Sequence, residues 1–554
     1  MTIVNQAAST TRVVSSEPIG ARMPLGSSGG PLACAALQWR LGACPSLPGR
    51  AAGGPGRSCA ETAAFIGQIW RMPFAAGPHL RSMAENLFGF EKPMKYQSSI
   101  KTVLSGLLAV SVLAACGGGG GSDPPELQPA PEVAAPPAEF LETCPLPAVA
   151  QIRIETDEHR PVVDKDNYIA ASFQVSGPAQ AQEPEGSALS MKIRGRGNTT
   201  WDMPKRPYLL KFDDKVSVLG MSANKKWVLL ANYSDKSMLR SALAFCTARL
   251  MGMAYTPQDR FVELTLNGDY LGLYQITNKD YEVRDLIEKQ GKTYFNEVTN
   301  TSSFDDPFLI EINWRTDEDF NFVTTSGIGF SFDSDSNAAQ VRRVRGWLGD
   351  LETDLGNLES PETWARVSTE VDLASLANLY LVNELASNTD AFYSSTYLYR
   401  FRGGPLAFGP VWDFDLAYGN VDYESSRYPE GWYVRDMRWA WYLRALLRQP
   451  AFAEMVRQRW AVLGAQVPQL LGYVRAAAGA LDEAQRRNFV RWPILEQYVW
   501  PNSVVTGSYA GEVDFLRDWL YRRAQWIDDN IPWIEQTSDD PYGGGPSDSG
   551  PADD

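Results

Sequence analysis

The order of two residue periodicities along the chain constrains the fold more than any other feature. Between about residues 150 and 277, short runs alternate apolar and polar residues as strands do, for example 169–175 and 208–212. From about residue 336 the helical period dominates, and 430–530 reads as almost wholly helical. We therefore predict an α+β protein with a β-rich first part and a mainly helical second part.

Two local signals give this outline more detail. Asn267-Gly268 separates two strand-like runs, 261–266 and 270–276, and this dipeptide favours a hairpin with a type I′ turn. Further upstream, Ser234 or Asp235 is the predicted N-cap of a helix that runs to about Met251.

Composition removes several kinds of chemistry. The chain has 554 residues and only two histidines, His79 and His159, which argues against a Ser-His-Asp or Cys-His nucleophile and against a histidine-rich metal site. Its formal net charge is −15, so we expect no nucleic-acid partner. Catalysis by this chain would have to use carboxylates, lysine, arginine and a bound metal.

Residues 94–116 have the pattern of an export signal. Met94 and Lys95 begin a basic segment, an apolar run follows over 103–115, and Leu113-Ala-Ala-Cys116 resembles the lipobox that precedes a lipidated cysteine. A short transmembrane anchor or a buried helix is the alternative, although about 13 apolar residues are few for a bilayer. We expect translation to start at Met94, 94–115 to be a lipoprotein signal peptide, and 1–93 to be a disordered upstream extension outside the protein.

The segments that flank the folded part are rich in Gly and Pro. Residues 116–139 form a predicted linker that would hold the domain away from a membrane, and 536–554 form a predicted disordered acidic tail. Lipid anchoring at Cys116 implies an exported protein, at the outer membrane or in the periplasm of a Gram-negative bacterium. In the domain between them, 140–535, Cys144 and Cys246 could form a disulfide or remain two free thiols.

The segment 372–415 carries the most chemistry. Asp372 caps a predicted helix, which ends near Ala386 and is followed by a polar loop containing Asp390. A strand, a turn and a return strand are predicted over 395–410, and Asp413 and Asp415 follow directly. Because the outer ends of paired antiparallel strands lie about 5 Å apart, this hairpin should bring Asp390 close to Asp413 and Asp415.

Three clustered carboxylates are costly unless a cation neutralises them, and oxygen ligands favour Mg²⁺ or Mn²⁺. The alternative is purely structural, with Asp390 forming a turn and Asp413 capping the end of the hairpin. An aspartate of the catalytic-base type, a hairpin and an aspartate of the metal-ligand type also follow one another in protein-kinase active sites.

Six segments together resemble the CotH family of atypical, kinase-like phosphotransferases. They are RGRGNTTW from Arg194, PKRPY from Pro204 with Lys211, KWVLLANYSDK from Lys226, FVELTLNGDYLGLY from Phe261, and the pair NTDAF from Asn388 and GPVWDFDLA from Gly409. The motifs occur in the family's order over roughly residues 140–535. The resemblance implies a bilobed, atypical protein-kinase-like fold with a β-rich N-lobe and a mainly helical C-lobe.

The resemblance also implies roles for individual residues. Asp390 would be the catalytic aspartate, Asp413 the main metal ligand and Asp415 a second ligand. Lys211 would contact the phosphates of ATP. The turn that covers those phosphates would comprise Arg194, Gly195, Arg196, Gly197 and Asn198.

The chain also departs from ordinary protein kinases. The helix predicted to end near Met251 contains no glutamate to pair with Lys211, so either Glu263 or Glu384 orients this lysine or another lysine has the role. The expected activity is ATP- and Mg²⁺- or Mn²⁺-dependent transfer to a Ser/Thr acceptor protein or to the chain itself. A non-catalytic envelope scaffold and a metal-dependent phosphohydrolase are the alternatives.

Overall fold

A computed structural model describes residues 128–177, 188–278, 281–295, 307–315, 320–332, 336 and 338–537. All of them belong to one of the two units into which the chain divides, Gly118–Asp554. The predicted upstream extension, signal peptide and lipidation site at Cys116 lie outside the described residues, as do the first half of the linker and nearly all of the acidic tail.

Seven strands of the first half close into a barrel in the order β1-β2-β3-β4-β5-β7-β6. Neighbouring strands are antiparallel except β1 and β6, whose parallel pairing closes the barrel. Alternate side chains, such as Ile152, Ile154 and Phe173, are buried in one apolar cluster. The strands are β1 Ala150–Thr156, β2 Ile169–Ser176, β3 Leu189–Gly195, β4 Tyr208–Val216, β5 Asn224–Leu230, β6 Asp259–Leu266 and β7 Asp269–Thr277.

The hairpin between β6 and β7 confirms the turn prediction. Asn267 and Gly268 have φ values of 52° and 80°. Positive φ at both central residues defines the type I′ turn, which Asn-Gly adopts at low cost.

A second sheet combines three strands within 308–332, for which no strand was predicted, with the hairpin that the sequence predicted over 395–410. Its order is β12-β11-β8-β10-β9, so the hairpin of β11 and β12 joins three strands that precede it by more than sixty residues. The strands are β8 Phe308–Ile312, β9 Asn321–Val323, β10 Gly329–Phe332, β11 Thr396–Arg400 and β12 Leu406–Phe408. The α+β class is confirmed, and the second half is less purely helical than its sequence indicated.

Twelve α-helices occur in the described ranges. They are α1 Ala138–Thr143, α2 Thr199–Asp202, α3 Arg240–Leu250, α4 Tyr281–Phe295, α5 Ala338–Leu355, α6 Pro361–Glu370, α7 Leu373–Ala386, α8 Trp441–Leu447, α9 Pro450–Gly464, α10 Val467–Ala480, α11 Asp482–Arg491 and α12 Tyr509–Asn530. None of these helices is both long and apolar enough to cross a membrane.

The predicted start of α3 was wrong. The helix begins at Arg240 rather than after Ser234 or Asp235. Asp235 instead closes a separate turn, because its carboxylate accepts hydrogen bonds from the Ser237 hydroxyl at 2.6 Å and from the Arg240 N–H at 2.9 Å. The N-cap is Leu239, so neither predicted residue caps the helix, and Asp235 organises the turn before it.

Part of the predicted linker packs on the folded domain. The Ala130 N–H donates to Asp518 at 2.6 Å, and Arg517 donates to the Pro131 carbonyl at 3.1 Å. Glu132 forms an ion pair with Arg475 of α10. Residues 128–137, which we call the strap, therefore run along α10 and α12 as part of the domain.

A disulfide joins Cys144 to Cys246, which settles the pairing that the sequence left open. It ties the end of α1 to the middle of α3 and closes a loop with a sequence separation of 102 residues. Both cysteines are fully buried in the larger apolar core.

We expect replacement of both cysteines, Cys144→Ser with Cys246→Ser, to lower the free energy of unfolding by about 2–5 kcal/mol, because a crosslink over a long loop restricts the unfolded chain. Denaturant unfolding of the full chain with and without reductant measures this loss. Unfolding midpoints that agree between the wild type and the variant under oxidising conditions would contradict it.

Candidate active site

The predicted hairpin forms and carries the acidic residues. Asp372 caps α7, accepting from the N–H groups of Ala374 and Ser375 at 3.1 Å each. β11 pairs with β12 in the register Leu398 to Phe408 and Arg400 to Leu406. This part of the prediction is confirmed.

A direct hydrogen bond links the two ends of the hairpin. The Ser395 hydroxyl donates to the Asp413 carboxylate at 2.9 Å. Asp390 begins the turn that leads to Ser395, since its carbonyl accepts from the N–H groups of Tyr393 at 3.1 Å and Ser394 at 2.9 Å. Both ends of the hairpin are therefore held at one place.

Backbone strain concentrates here. Ser387, Phe392, Ser395, Asp413 and Tyr418 all have positive φ, between 47° and 68°. Non-glycine residues rarely adopt this region, and clusters of such residues are typical of functional sites. Surrounding contacts must hold the segment in this conformation.

The three carboxylates interact electrostatically. Burial raises the pKa of Asp390 to about 7, and the nearby charge of Asp413 contributes to the rise. Burial also raises the pKa of Asp415 well above its usual value, with further contributions from Asp413 and Asp390. The structure thus brings together the three aspartates that the sequence singled out.

Buried polar contacts anchor the segment after Asp413 to the turn before α3. Arg240 forms an ion pair with Asp235 at 2.5 Å and donates to the Ala417 carbonyl at 3.0 Å. Asn420 donates to the Asp415 carbonyl at 2.7 Å and to the Ser234 carbonyl at 3.3 Å. The acidic segment is therefore fixed against the chain that leaves the barrel.

A cavity of about 480 Å³, including space open to solvent, lies beside Asp413 and Asp415. The cavity carries cations, carboxylates, hydroxyls and apolar side chains. Its lining comes from the barrel and the chain after β5 (Arg196, Thr200, Met203, Lys205, Pro207, Leu230, Ala231, Asn232, Tyr233), from α3 (Ser241, Phe245) and from the acidic segment (Trp412, Asp413, Asp415).

The predicted phosphate-covering turn meets this cavity at one residue. Arg196 lines the cavity, with its guanidinium 5.5 Å from the ring centre of Trp412. Arg194 instead donates to the Lys165 carbonyl and lies over Tyr168.

The remaining turn residues have backbone and packing roles. A Cβ on Gly195 would lie 2.4 Å from the Trp201 ring, so the turn needs glycine for close packing. Gly197 has φ +85°, and Asn198 precedes α2. Gly195, Gly197 and Asn198 are not among the residues that line the cavity.

The structure does not bring Lys211 to the cavity. Lys211 is exposed on β4, and its ammonium lies 5.6 Å from the ring centre of Tyr168. Its strand neighbours Leu210 and Phe212 point into the barrel, so the side chain between them points outward. The parity of the strand, readable from the sequence, already indicated this direction.

Lys205 is the lysine that lines the cavity. It is 1% exposed, and its ammonium donates to the Leu273 carbonyl and, at 2.9 Å, to the Asn488 side chain. Burial lowers its pKa well below the usual value. Sequence reasoning missed it because Lys205 precedes the strand and owes its burial to a helix almost three hundred residues away.

Glu263 and Glu384, the two glutamates predicted to orient Lys211, form ion pairs with arginines instead. Glu263 forms an ion pair with Arg487 at 2.7 Å and accepts from the Tyr270 hydroxyl at 2.6 Å. Glu384 pairs with Arg523 at 2.5 Å in the core. Neither glutamate therefore forms an ion pair with Lys211 or Lys205.

A divalent cation suits the donor chemistry of this site. Asp413 and Asp415 line the cavity, and burial, together with the charge of Asp413, raises the pKa values of Asp390 and Asp415. The described ranges nevertheless hold no group of three or more Asp, Glu, His or Cys side chains arranged for metal binding. Asp413 and Asp415 would be the protein's ligands if a cation bound there.

The cavity thus has cationic side chains, Arg196 and Lys205, and acidic side chains, Asp413 and Asp415, in its wall. The chain belongs to the CotH kinase family: the family model described as CotH kinase protein matches residues 193–527. The family resemblance predicted from the motifs is confirmed. No curated protein matches the chain.

We expect Asp390→Asn to stabilise the metal-free protein. A folded pKa of about 7, above the ordinary value near 3.9, means that stability falls as pH rises from about 4 to 7. The variant should gain about 1–3 kcal/mol at pH 8 and nothing near pH 4. Thermal unfolding at both pH values measures the difference. The exposed Asp529→Asn is the control, and a variant no more stable than wild type at pH 8 would refute the expectation.

Proposed function

We propose that the chain is an ATP- and divalent-metal-dependent phosphotransferase, a protein Ser/Thr kinase that acts on another protein or on itself. One observation carries the proposal: the hairpin of β11 and β12 brings Asp390 near Asp413 and Asp415, and these last two line a cavity that Lys205 and Arg196 also line. Membership of the CotH kinase family supports it. In this proposal the barrel corresponds to a kinase N-lobe and the helical part to a C-lobe.

Asp390 is suited to handle the proton of an acceptor hydroxyl. A carboxyl group with a pKa of about 7 is ionised in a large fraction of molecules near neutral pH and is a stronger base than an exposed aspartate. The turn through Tyr393 and Ser394 fixes its backbone. Its role would be to accept or orient the proton of a serine or threonine.

Asp413 and Asp415 would hold Mg²⁺ or Mn²⁺, which neutralises phosphate charge when bound. Ser395 holds the Asp413 carboxylate by the 2.9 Å hydrogen bond. Asn420 fixes the backbone at Asp415. These contacts orient the two carboxylates before any ligand arrives.

Lys205 and Arg196 supply the positive charge that phosphates require. Both line the cavity beside Asp413. This matters because the whole chain carries a net charge of −15, which repels an anionic ligand until local cations attract it. We assign to Lys205 the phosphate contact first predicted for Lys211.

We further propose that the protein is exported and anchored to a membrane through a lipid on Cys116, at the outer membrane or in the periplasm of a Gram-negative bacterium. The lipobox pattern supports this location. The disulfide between Cys144 and Cys246 also supports it, since disulfides persist in oxidising compartments. Its partners would be an acceptor protein and the membrane, without nucleic acid.

A non-catalytic envelope scaffold is the second candidate. The lack of a ready three-ligand metal group in the described ranges favours it. A scaffold of this fold would bind neither ATP nor a divalent cation at the cavity. The same assays that detect phosphate transfer distinguish the two candidates.

We expect the purified full chain to transfer labelled phosphate from ATP to itself or to a generic acceptor such as casein when Mg²⁺ or Mn²⁺ is present. Asp390→Ala should lower transfer by about 10²–10⁴-fold and keep nucleotide binding, because only proton transfer is lost. Asp413→Ala should abolish metal-dependent nucleotide binding.

No labelling and no metal-dependent thermal shift with ATP would favour the scaffold. Free phosphate without labelled protein would indicate a phosphohydrolase. Full activity in both aspartate variants would overturn the assignment of the site.

We expect Lys205→Ala and Lys211→Ala to differ sharply. Loss of Lys205 should weaken ATP binding at least tenfold, since a charge-assisted hydrogen bond contributes about 1.5–3 kcal/mol. Lys211→Ala should leave ATP affinity unchanged because the side chain is exposed on the outer face of β4. Isothermal titration of both variants measures this, and the reverse order would restore Lys211 to the role.

A further inference from the structure

The ammonium group of Lys205 is held by an amide where a protein kinase would place a carboxylate. Its bonds go to the Leu273 carbonyl and to Oδ1 of Asn488, and its Nζ lies 4.6 Å from the ring centre of Tyr274. No ion pair to Lys205 occurs among the described residues. Its positive charge is therefore buried without a negative partner.

Asn488 comes from α11, a helix far from Lys205 in sequence. It is 1% exposed, and the same oxygen that accepts from Lys205 accepts from the Leu273 N–H at 3.1 Å. One amide oxygen thus fixes the lysine relative to the backbone of β7. A swing of this side chain would break two hydrogen bonds at once.

The rest of α11 and the residue after it hold Asn488 in place. Arg487 pairs with Glu263 at 2.7 Å, and Arg491 donates to the Tyr270 carbonyl at 3.0 Å. Trp492 donates to the Leu271 carbonyl at 2.9 Å. The helix is therefore fastened to the strands of the hairpin on both sides of Asn488.

Gly272 permits this close approach. A Cβ on Gly272 would lie 2.5 Å from Oδ1 of Asn488, and its φ of +99° also favours glycine. The strand is thus shaped to receive an oxygen from α11. The contact is specific to this site and is not a general helix-on-sheet contact.

We propose that Asn488 is a positioning residue that fixes Lys205 at the wall of the cavity while leaving its charge for an anionic ligand. This inference rests on the proposed function. An ammonium has three donors, and the protein accepts two of them at Lys205. The third is available to a phosphate oxygen, and a neutral amide, unlike a carboxylate, does not cancel the attraction.

The test measures ATP affinity by titration without metal and KM and kcat with metal, using the full chain. Asn488→Leu removes the acceptor and should raise the dissociation constant of ATP on the order of 10- to 100-fold, with KM rising by a similar factor and kcat changing less. Asn488→Asp keeps the acceptor but adds a negative charge that cancels the attraction for phosphate, so it should also weaken ATP binding. Gln485→Leu, one turn earlier on α11, removes a buried amide that contacts Asp482 and should change neither constant.

Thermal unfolding checks that each variant is folded. If Asn488→Leu is folded and binds ATP like the wild type, or if Asn488→Asp binds ATP as tightly as the wild type, the role of Asn488 is overturned. The aspartate variant keeps this test decisive even where the leucine variant does not fold. Absence of ATP binding by the wild type overturns the proposed function and this inference together, a result distinct from the other two.

Discussion

The buried guanidinium of Arg240 connects the turn before α3 to the acidic segment after Asp413, and the site depends on this contact. It pairs with Asp235, in the turn after the barrel strand β5, and bonds the Ala417 carbonyl of the acidic segment. Burying such a pair costs desolvation, and removing one partner would leave an uncompensated charge in the core. Asn502, which donates to the Ser234 carbonyl at 2.7 Å, ties the chain before α12 to the same turn. The geometry at Asp413 and Asp415 depends on this joint.

The site contains buried carboxylates and strained backbone, both of which lower stability. The tightly packed residues around it hold them in place. Burial removes Asp390 and Asp415 from water and raises their pKa values, and several neighbours have strained backbone. Nearby, α7 is almost entirely buried, with Leu376, Tyr380 and Leu381 at 0% exposure. Such a tightly packed helix can hold the loop at its C-terminal end in a strained conformation. An isolated peptide of the same sequence would not keep that conformation. The arrangement is typical of sites whose side chains are oriented before a ligand binds.

Turns, caps and hairpins could be predicted because they depend on residues a few positions apart. Features that depend on contacts between distant parts of the chain were missed. The hairpin that brings Asp390 to Asp413, the type I′ turn at Asn267 and the cap at Asp372 all follow from residues a few positions apart. Lys205 could not be recognised in this way because its environment is built by Asn488. β8 was not predicted, since its partner β11 lies more than eighty residues further along the chain. The direction of Lys211 was readable from strand parity, but the resemblance to kinases outweighed that signal.

Because the strap packs on the domain, the folded domain includes residues before 140, where its composition had placed the boundary. Proline-rich sequence of this kind is usually read as a spacer, yet Ala130 and Pro131 contribute backbone groups to α12, and Gly472 leaves room for the strap, since a Cβ there would lie 2.7 Å from the Ala134 carbonyl. A fragment beginning at residue 140 would expose the groove between α10 and α12 to water and leave Arg517 without its acceptor in the strap. Proteolysis in this stretch would therefore damage the packing of the domain's last long helix and would not simply release an intact domain.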